Sequence, residues 1–217
     1  MRIGIIGAGA IGQTYAKLWS AAEHEVFLSS RNPEKLVSLV QDIGANVQAG
    51  TTAQAAQFGE VILLAVNYST VGEAVNAIRP YVEGKLVIDA TNPLRQKEDG
   101  GTERVIEDDQ IAGMVMADML PEARIAKGLT TLWTGYVERH ANVADPTIAM
   151  TLAGDDAKDR ETVAQLIRDA GLVPVDLGRL AQSRPLDPPS PIWNVVLTAE
   201  ELEAQVDEFR RKTAEET

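Results

Sequence analysis

The chain has 217 residues, a formal net charge of −12 and a sequence pI near 4.6. That acidity opposes binding to nucleic-acid phosphates or to an anionic bilayer, so the expected partner is a small molecule, with no nucleic acid and no membrane engaged. There is no cysteine, which removes thiol nucleophiles, disulfides and cysteine-ligated metals, and the two histidines, His24 and His140, stand too far apart to suggest a metal site.

An ordinary 45% hydrophobic content with 24% charged residues fits one large globular domain or two small ones. The chain opens on a strand pattern rather than a charged leader, and no apolar run approaches the ~20 residues of a spanning helix, so a cytoplasmic location is expected.

Arg2 to Ile6 reads as a short strand, and Gly7-Ala8-Gly9-Ala10-Ile11-Gly12 follows it without a gap. A helical pattern with Ile11, Tyr15, Leu18 and Trp19 on one face comes next, then a second strand over Glu25 to Leu28. Strand, G-x-G-x-x-G turn, helix and strand form the dinucleotide-binding unit of a Rossmann fold. Gly7 is expected to make the tight turn, Gly9 to let backbone approach a pyrophosphate, and Gly12 to let the helix pack against the strand. The free N–H groups at the helix start would face the phosphates.

An NAD-binding domain usually ends its second strand on Asp or Glu, which accepts hydrogen bonds from the adenosine ribose. Here Ser29, Ser30, Arg31 and Asn32 occupy that place, and Lys35 lies one turn beyond. Serine hydroxyls can donate to a 2′-phosphate and a guanidinium can grip it bidentately. Arg31 and Lys35 are the only Lys or Arg between Lys17 and Arg79. The plain alternative is a pair of ordinary polar residues at a helix start, where cations sit badly against the dipole. The concentration of positive charge in an acidic chain favours NADP(H) over NAD(H).

Pro33 to Ile43 is expected to be helical, Ala45 to Gln48 a short strand, and Thr51 or Thr52 the start of a small alanine-rich helix. Val61 to Val66 is an unbroken apolar run, as in a parallel strand buried on both faces. A helix over Tyr68 to Ile78, ended by Pro80, precedes a strand over Lys85 to Asp89. Ala65, Val66 and Asn67, and then Asn92 and Pro93, follow these two strands at their carboxyl ends. Ligands of open α/β sheets gather at that edge, so these residues are expected to border the nicotinamide half of the cofactor. Asn67 and Asn92 serve equally well as plain turn residues.

Residues 95 to 122 read as a charged surface excursion around one short helix, with no catalytic carboxylate assigned. Arg124 to Lys127 is expected to be the last strand of the main sheet. A strand over Thr147 to Leu152, a helix from Asp155 to Ala170 and a strand over Leu172 to Val175 make a second, smaller α/β piece. Four prolines between Ser183 and Pro191 preclude regular structure there. Thr198-Ala199-Glu200-Glu201 fits a capping box, starting a helix at Ala199 with Leu202, Val206 and Phe209 inward, against the parent domain or a second subunit of a homodimer.

The expected fold is therefore a doubly wound, mostly parallel α/β sheet over residues 1–144, with a small carboxyl-terminal α/β extension and terminal helix over 145–217.

Three segments together resemble the NADPH-dependent coenzyme F420 reductase family: Gly7 to Gly12, Ser30 to Lys35, and Ala153-Gly154-Asp155-Asp156 through Gly171 to Gly178 and Ser183-Arg184. The resemblance implies hydride transfer between NADP(H) and a deazaflavin, coenzyme F420, or, as in related domains of animal metalloreductases, a flavin such as FMN. It implies that Ser30, Arg31 and Lys35 hold the 2′-phosphate and Gly7 to Gly12 the pyrophosphate. The family's acceptor cleft would bring Lys127 to Trp133 and the Ser183 region nearby.

Hydride transfer between stacked rings requires alignment and exclusion of water but no protein nucleophile, so no catalytic residue is assigned. His140 or Tyr136 as a proton donor is the alternative. Competing readings are a reductase of imines or 2-oxo acids and a non-catalytic NADPH-binding redox sensor.

Overall fold

A computed structural model describes residues 1–141, 143 and 147–215. The elements in chain order are β1 (Arg2–Ile6), α1 (Ala10–Ala21), β2 (Glu25–Ser29), α2 (Val37–Ile43), β3 (Val47–Gly50), α3 (Thr52–Phe58), β4 (Val61–Leu64), α4 (Val71–Ile78) and β5 (Leu86–Asp89). A hairpin of β6 (Leu94–Gln96) and β7 (Thr102–Arg104) follows, then α5 (Ala112–Met119), β8 (Arg124–Gly128), α6 (Thr134–His140), β9 (Ala149–Gly154), α7 (Ala157–Asp169), β10 (Val173–Asp176) and α8 (Ala199–Glu215).

Among the described residues, eight strands form one sheet in the order β10-β9-β8-β5-β4-β1-β2-β3. The run from β3 to β8 is parallel throughout and has the order of a doubly wound dinucleotide-binding sheet. β9 joins β8 antiparallel, with Lys127 opposite Ala153, and β10 pairs with β9 in parallel. The strands of the carboxyl-terminal piece thus extend the main sheet edge-on. The expected boundary between residues 144 and 145 lies outside the described residues.

Both faces of the sheet are covered, which is why β4 at its centre is apolar at every position. Ile3, Ile5 and Leu63 point to one side, against α1 and α7. Ile6, Ile62 and Leu64 point to the other, with residues of α3, α4 and α5. Trp19 of α1 is fully buried and donates from Nε1 to the Leu166 carbonyl of α7 at 2.8 Å, tying the two ends of the chain together. His24 forms a second tie, Nε2 to Asp169 Oδ2 at 2.8 Å.

The terminal helix starts where the capping box predicts. Glu201 Oε2 accepts from the Thr198 N–H at 2.9 Å, and Thr198 Oγ1 accepts from the Glu201 N–H at 3.3 Å. Leu202 and Val206 pack with Ala149, Ala153, Val175 and Leu186 on the β9–β10 end of the sheet, and Phe209 is half-buried. The stripe thus has its partner within the chain.

Several local expectations shift. The helix expected from Pro33 begins as a 3-10 turn over Pro33–Leu36 and becomes α-helical only at Val37. The third strand lies two residues later than expected, since pairing with Val26 to Ser29 sets its register. Two short strands in the 95–122 excursion form a hairpin rather than irregular surface.

Candidate functional site

A cleft of about 500 Å³ opens where the strand order reverses, between β1 and β4. Its floor is the carboxyl end of β1 with the glycine turn, Ile6 to Gly9. One wall is Ser29, Ser30, Arg31, Leu36 and Thr52, and the other is Ala65, Val66, Asn67 and the α4 side with Thr70, Glu73, Ala74 and Ala77.

The glycine motif shapes this floor in three different ways. Gly7 has φ +106°, and an added Cβ would stand 2.5 Å from the Ala65 carbonyl oxygen, so no other residue fits the turn. At Gly12 a Cβ would meet the Gly7 carbonyl oxygen at 2.0 Å, so the first turn of α1 can lie on the strand only without a side chain. At Gly9 a Cβ would meet nothing within 4 Å, leaving backbone exposed to the cleft for the close approach of a ligand. Gly9 is also the N-cap of α1, with no side-chain cap and no acid in the first turn. The amino-terminal N–H groups of Ala10, Ile11 and Gly12 therefore belong to an uncapped helix end, the environment that suits a phosphate.

At the β2 end the serines differ. Ser29 is fully buried and its hydroxyl donates to the Ile5 carbonyl at 2.9 Å, so its hydrogen is committed. This corrects the expectation that both serines can donate to a ligand: Ser29 supplies wall, while Ser30 Oγ only accepts from the Asn32 N–H at 3.1 Å and keeps its own hydrogen. Arg31 lines the cleft, exposed, with no ion-pair partner among the described residues. Asn32 and Lys35 lie on the adjoining 3-10 turn, outside the cleft lining, and Lys35 is also exposed and unpaired among the described residues.

Asn92 and Pro93 do not line this cleft. They belong to a second cluster, at the carboxyl ends of β5 and β8. Parallel register sets Lys127 beside Asp89, and the two form a fully buried pair with Nζ 2.8 Å from Oδ2. Asp89 Oδ1 accepts from the Thr91 N–H at 2.9 Å and from Thr91 Oγ1 at 2.7 Å, and Lys127 also donates to the Thr91 carbonyl. Asn92 Nδ2 donates to the Thr130 carbonyl at 3.2 Å.

The proline-rich segment closes over this end. Asp187, fully buried, accepts from the Ala112 N–H at the start of α5 at 2.8 Å and has Arg104 Nη2 3.7 Å from Oδ2. Burial pushes the Asp187 carboxyl above the ordinary aspartate range, against the pull of Lys127, the Ala112 N–H, Arg104 and Arg184. Burial, helped by Asp89 and Asp187, likewise pushes the Tyr68 hydroxyl up.

Sequence reasoning placed Lys127 and the Ser183 region near an acceptor by resemblance and missed Asp89, Arg104, Tyr68 and Asp187. The available signal was a lysine ending an otherwise apolar strand beside an aspartate ending its neighbour.

Residues 2–93 match the family model described as NADP oxidoreductase coenzyme F420-dependent. The match covers the amino-terminal part of the chain, from β1 to the residues just after β5. It is 25% identical over 205 residues to the F420-dependent NADP reductase of Methanothermobacter marburgensis, covering 88% of this chain and 90% of that one. It is 23% identical over 189 residues to metalloreductase STEAP3 of Rattus norvegicus, covering 86% of this chain, which spans only 36% of that relative's length. Among solved structures, a Sinorhizobium meliloti protein superposes with a TM-score of 0.80 at 28% identity, over 91% of this chain and 95% of the other. The matched model is one of NADP-dependent oxidoreductases.

Proposed function

We propose that the chain transfers a hydride between NADP(H) and a deazaflavin, coenzyme F420, or a flavin. The observation that carries the reading is the cleft itself, in which a glycine floor and an uncapped helix end lie opposite an unpaired arginine, with no carboxylate at the end of β2. The cleft fits NADP(H). Gly7, Ala8 and Gly9, with the first turn of α1, would take the pyrophosphate, and Ser30, Arg31, Asn32 and Lys35 the 2′-phosphate. Ala65, Val66 and Asn67 would lead toward the nicotinamide, with Asn92 and Pro93 beyond it.

Bound there, NADPH supplies the hydride. The chain's part is alignment: rigid backbone at β1 and β4 fixes one ring, and the fixed geometry together with excluded water can supply several kcal/mol of the barrier reduction. The acceptor reading is supported by the family description and by the relative from Methanothermobacter.

The test is to mix the purified protein with NADPH and, in turn, coenzyme F420, FMN and a cyclic imine, following loss of reduced-nicotinamide absorbance. Turnover with F420 or FMN is expected. Consumption with the imine alone would replace this reading with imine reduction, and binding without turnover would make the protein a sensor.

A further inference from the structure

We propose that Asp187 is the proton store of the acceptor end, holding on Oδ1 the proton that reduction of the acceptor consumes. The inference rests on the hydride-transfer reading above.

Two buried carboxyl groups meet here with opposite surroundings. Asp89 has both oxygens occupied, one by Lys127 and the other by Thr91, as an anion requires. Asp187 has Oδ2 on the Ala112 N–H and Arg104, but Oδ1 is buried with no hydrogen-bonding partner in the protein. A bare anionic oxygen in that position would carry the full desolvation cost of a charge, whereas a protonated one is neutral.

A second observation marks the same place as a ligand or water site. Among the described residues, seven buried side-chain polar atoms lack a partner. One is Tyr15 Oη; four are Asp187 Oδ1 itself, Arg104 Nε of its ion-pair partner, and Ser183 Oγ and Ser190 Oγ of the proline-rich segment, and two, Asn92 Oδ1 and Thr130 Oγ1, lie on the loops after β5 and β8. Asn92 and Thr130 are joined by a hydrogen bond, Arg104 lies against Asp187, and Ser183 and Ser190 flank it in sequence. Such a concentration of unmet donors and acceptors calls for polar atoms from elsewhere.

The chemistry needs this proton. Reduction by NADPH moves a hydride, one hydrogen with two electrons, from the dihydronicotinamide to the electrophilic ring atom of a deazaflavin or flavin. The electron pair displaced onto a ring nitrogen then takes one proton. That proton leaves Asp187 Oδ1, and water restores it from solvent. NADPH ends as NADP⁺, and the acceptor has gained one hydride and one proton.

The groups facing Asp187 are Lys127 from β8, Arg104 from β7, Arg184 from its own turn, and Tyr68 from the turn after β4, which also feels Asp89 of β5. The three cations and the Ala112 N–H stabilise the carboxylate during the interval between release and return. In this proposal Asp187 is the proton donor of the reaction, and its neighbours set how firmly it holds that proton.

Two measurements test this on the full chain. Infrared difference spectra at neutral pH, wild type against Asp187→Asn, should contain a protonated-carboxyl band that the variant lacks; its absence from wild type overturns the proposal. With NADPH and F420 or FMN, Asp187→Asn should turn over about a hundredfold more slowly. Its rate should lose the wild-type dependence on pH, Asp187→Glu should restore that dependence in part, and NADPH affinity should stay unchanged. Turnover in the asparagine variant with the wild-type pH profile overturns proton delivery while leaving hydride transfer standing. Failure of the wild type to reduce either acceptor, with NADPH bound, overturns the hydride-transfer reading and proton delivery with it.

Discussion

At the scale of single residues, the proposed discrimination between the two nicotinamide dinucleotides would rest on the exposed Arg31 guanidinium, which has no ion-pair partner among the described residues. Charge-assisted hydrogen bonds contribute about 1.5–3 kcal/mol each. Arg31→Ala should therefore weaken NADPH binding by roughly ten- to a hundredfold and leave NADH affinity nearly unchanged. Titration calorimetry with both nucleotides checks this, and an unaltered ratio between them would remove the 2′-phosphate from Arg31. Gly12→Ala tests the floor of the cleft. A Cβ there would stand 2.0 Å from the Gly7 carbonyl oxygen, so the glycine turn or the helix must move. A lowered thermal midpoint and loss of NADPH affinity together are expected, and retention of both would show that the close approach is not needed.

The site at this scale was partly readable. That Gly7, Gly9, Ser30 and Arg31 share one cleft was readable from spacing, because a strand, glycine turn and helix are local backbone. The commitment of Ser29 to Ile5 was not, since it depends on which way β2 turns its side chain against β1.

At the scale of elements, helix starts and apolar stripes transferred well from sequence to structure. α8 begins at its capping box, and its Leu202 and Val206 face the β9–β10 end of the sheet, because 3.6-residue periodicity is a local property. Leu202→Ala removes a buried side chain at that contact and should cost about 2–5 kcal/mol, read as a lowered denaturation midpoint. A change within a few tenths of a kcal/mol would mean that α8 contributes little to the fold. Strand limits were less readable, as at β3, where pairing with a neighbour rather than the strand's own residues decides the register.

At the scale of the molecule, buried polar groups join segments far apart in the chain. Lys127 and Asp89 are 38 residues apart and fully buried. Removing one partner strands a charge, so Asp89→Ala should cost about 3–5 kcal/mol, and Asp89→Leu combined with Lys127→Met should recover much of it. A double variant no more stable than Asp89→Ala would show that the pair does more than neutralise itself.

Asp187 gives a pH signature with a definite sign. Its folded-state affinity for a proton is raised, chiefly by burial, so between the ordinary aspartate pKa and the raised one the folded chain holds a proton that the unfolded chain has released. Stability from this group falls as pH rises through that window. Carboxylates such as Asp156, whose pKa is lowered by the Asp159 and Lys158 N–H groups, act oppositely and lose stability as pH falls. Thermal midpoints of wild type and Asp187→Asn across the acid range should therefore converge toward low pH, with the variant gaining relative stability as pH rises. Parallel curves would mean that folding leaves the Asp187 proton affinity unchanged, and the opposite slope that its carboxyl is ionised in the fold.

The sequence by itself determined the dinucleotide half: a strand running into a glycine turn, a helix start without a cap, and cations at the end of the second strand. All of these lie within 35 residues of the amino terminus, where local spacing dictates geometry. Only the tertiary structure decided the other half. The neighbours of Asp187 come from the turn after β4, β7, the start of α5, β8 and the proline-rich segment, and their burial and pairing exist only once sheet register and chain crossing bring those segments together. Proton affinity depends on such surroundings rather than on residue type, so an aspartate among prolines carries no sign of it in the linear chain.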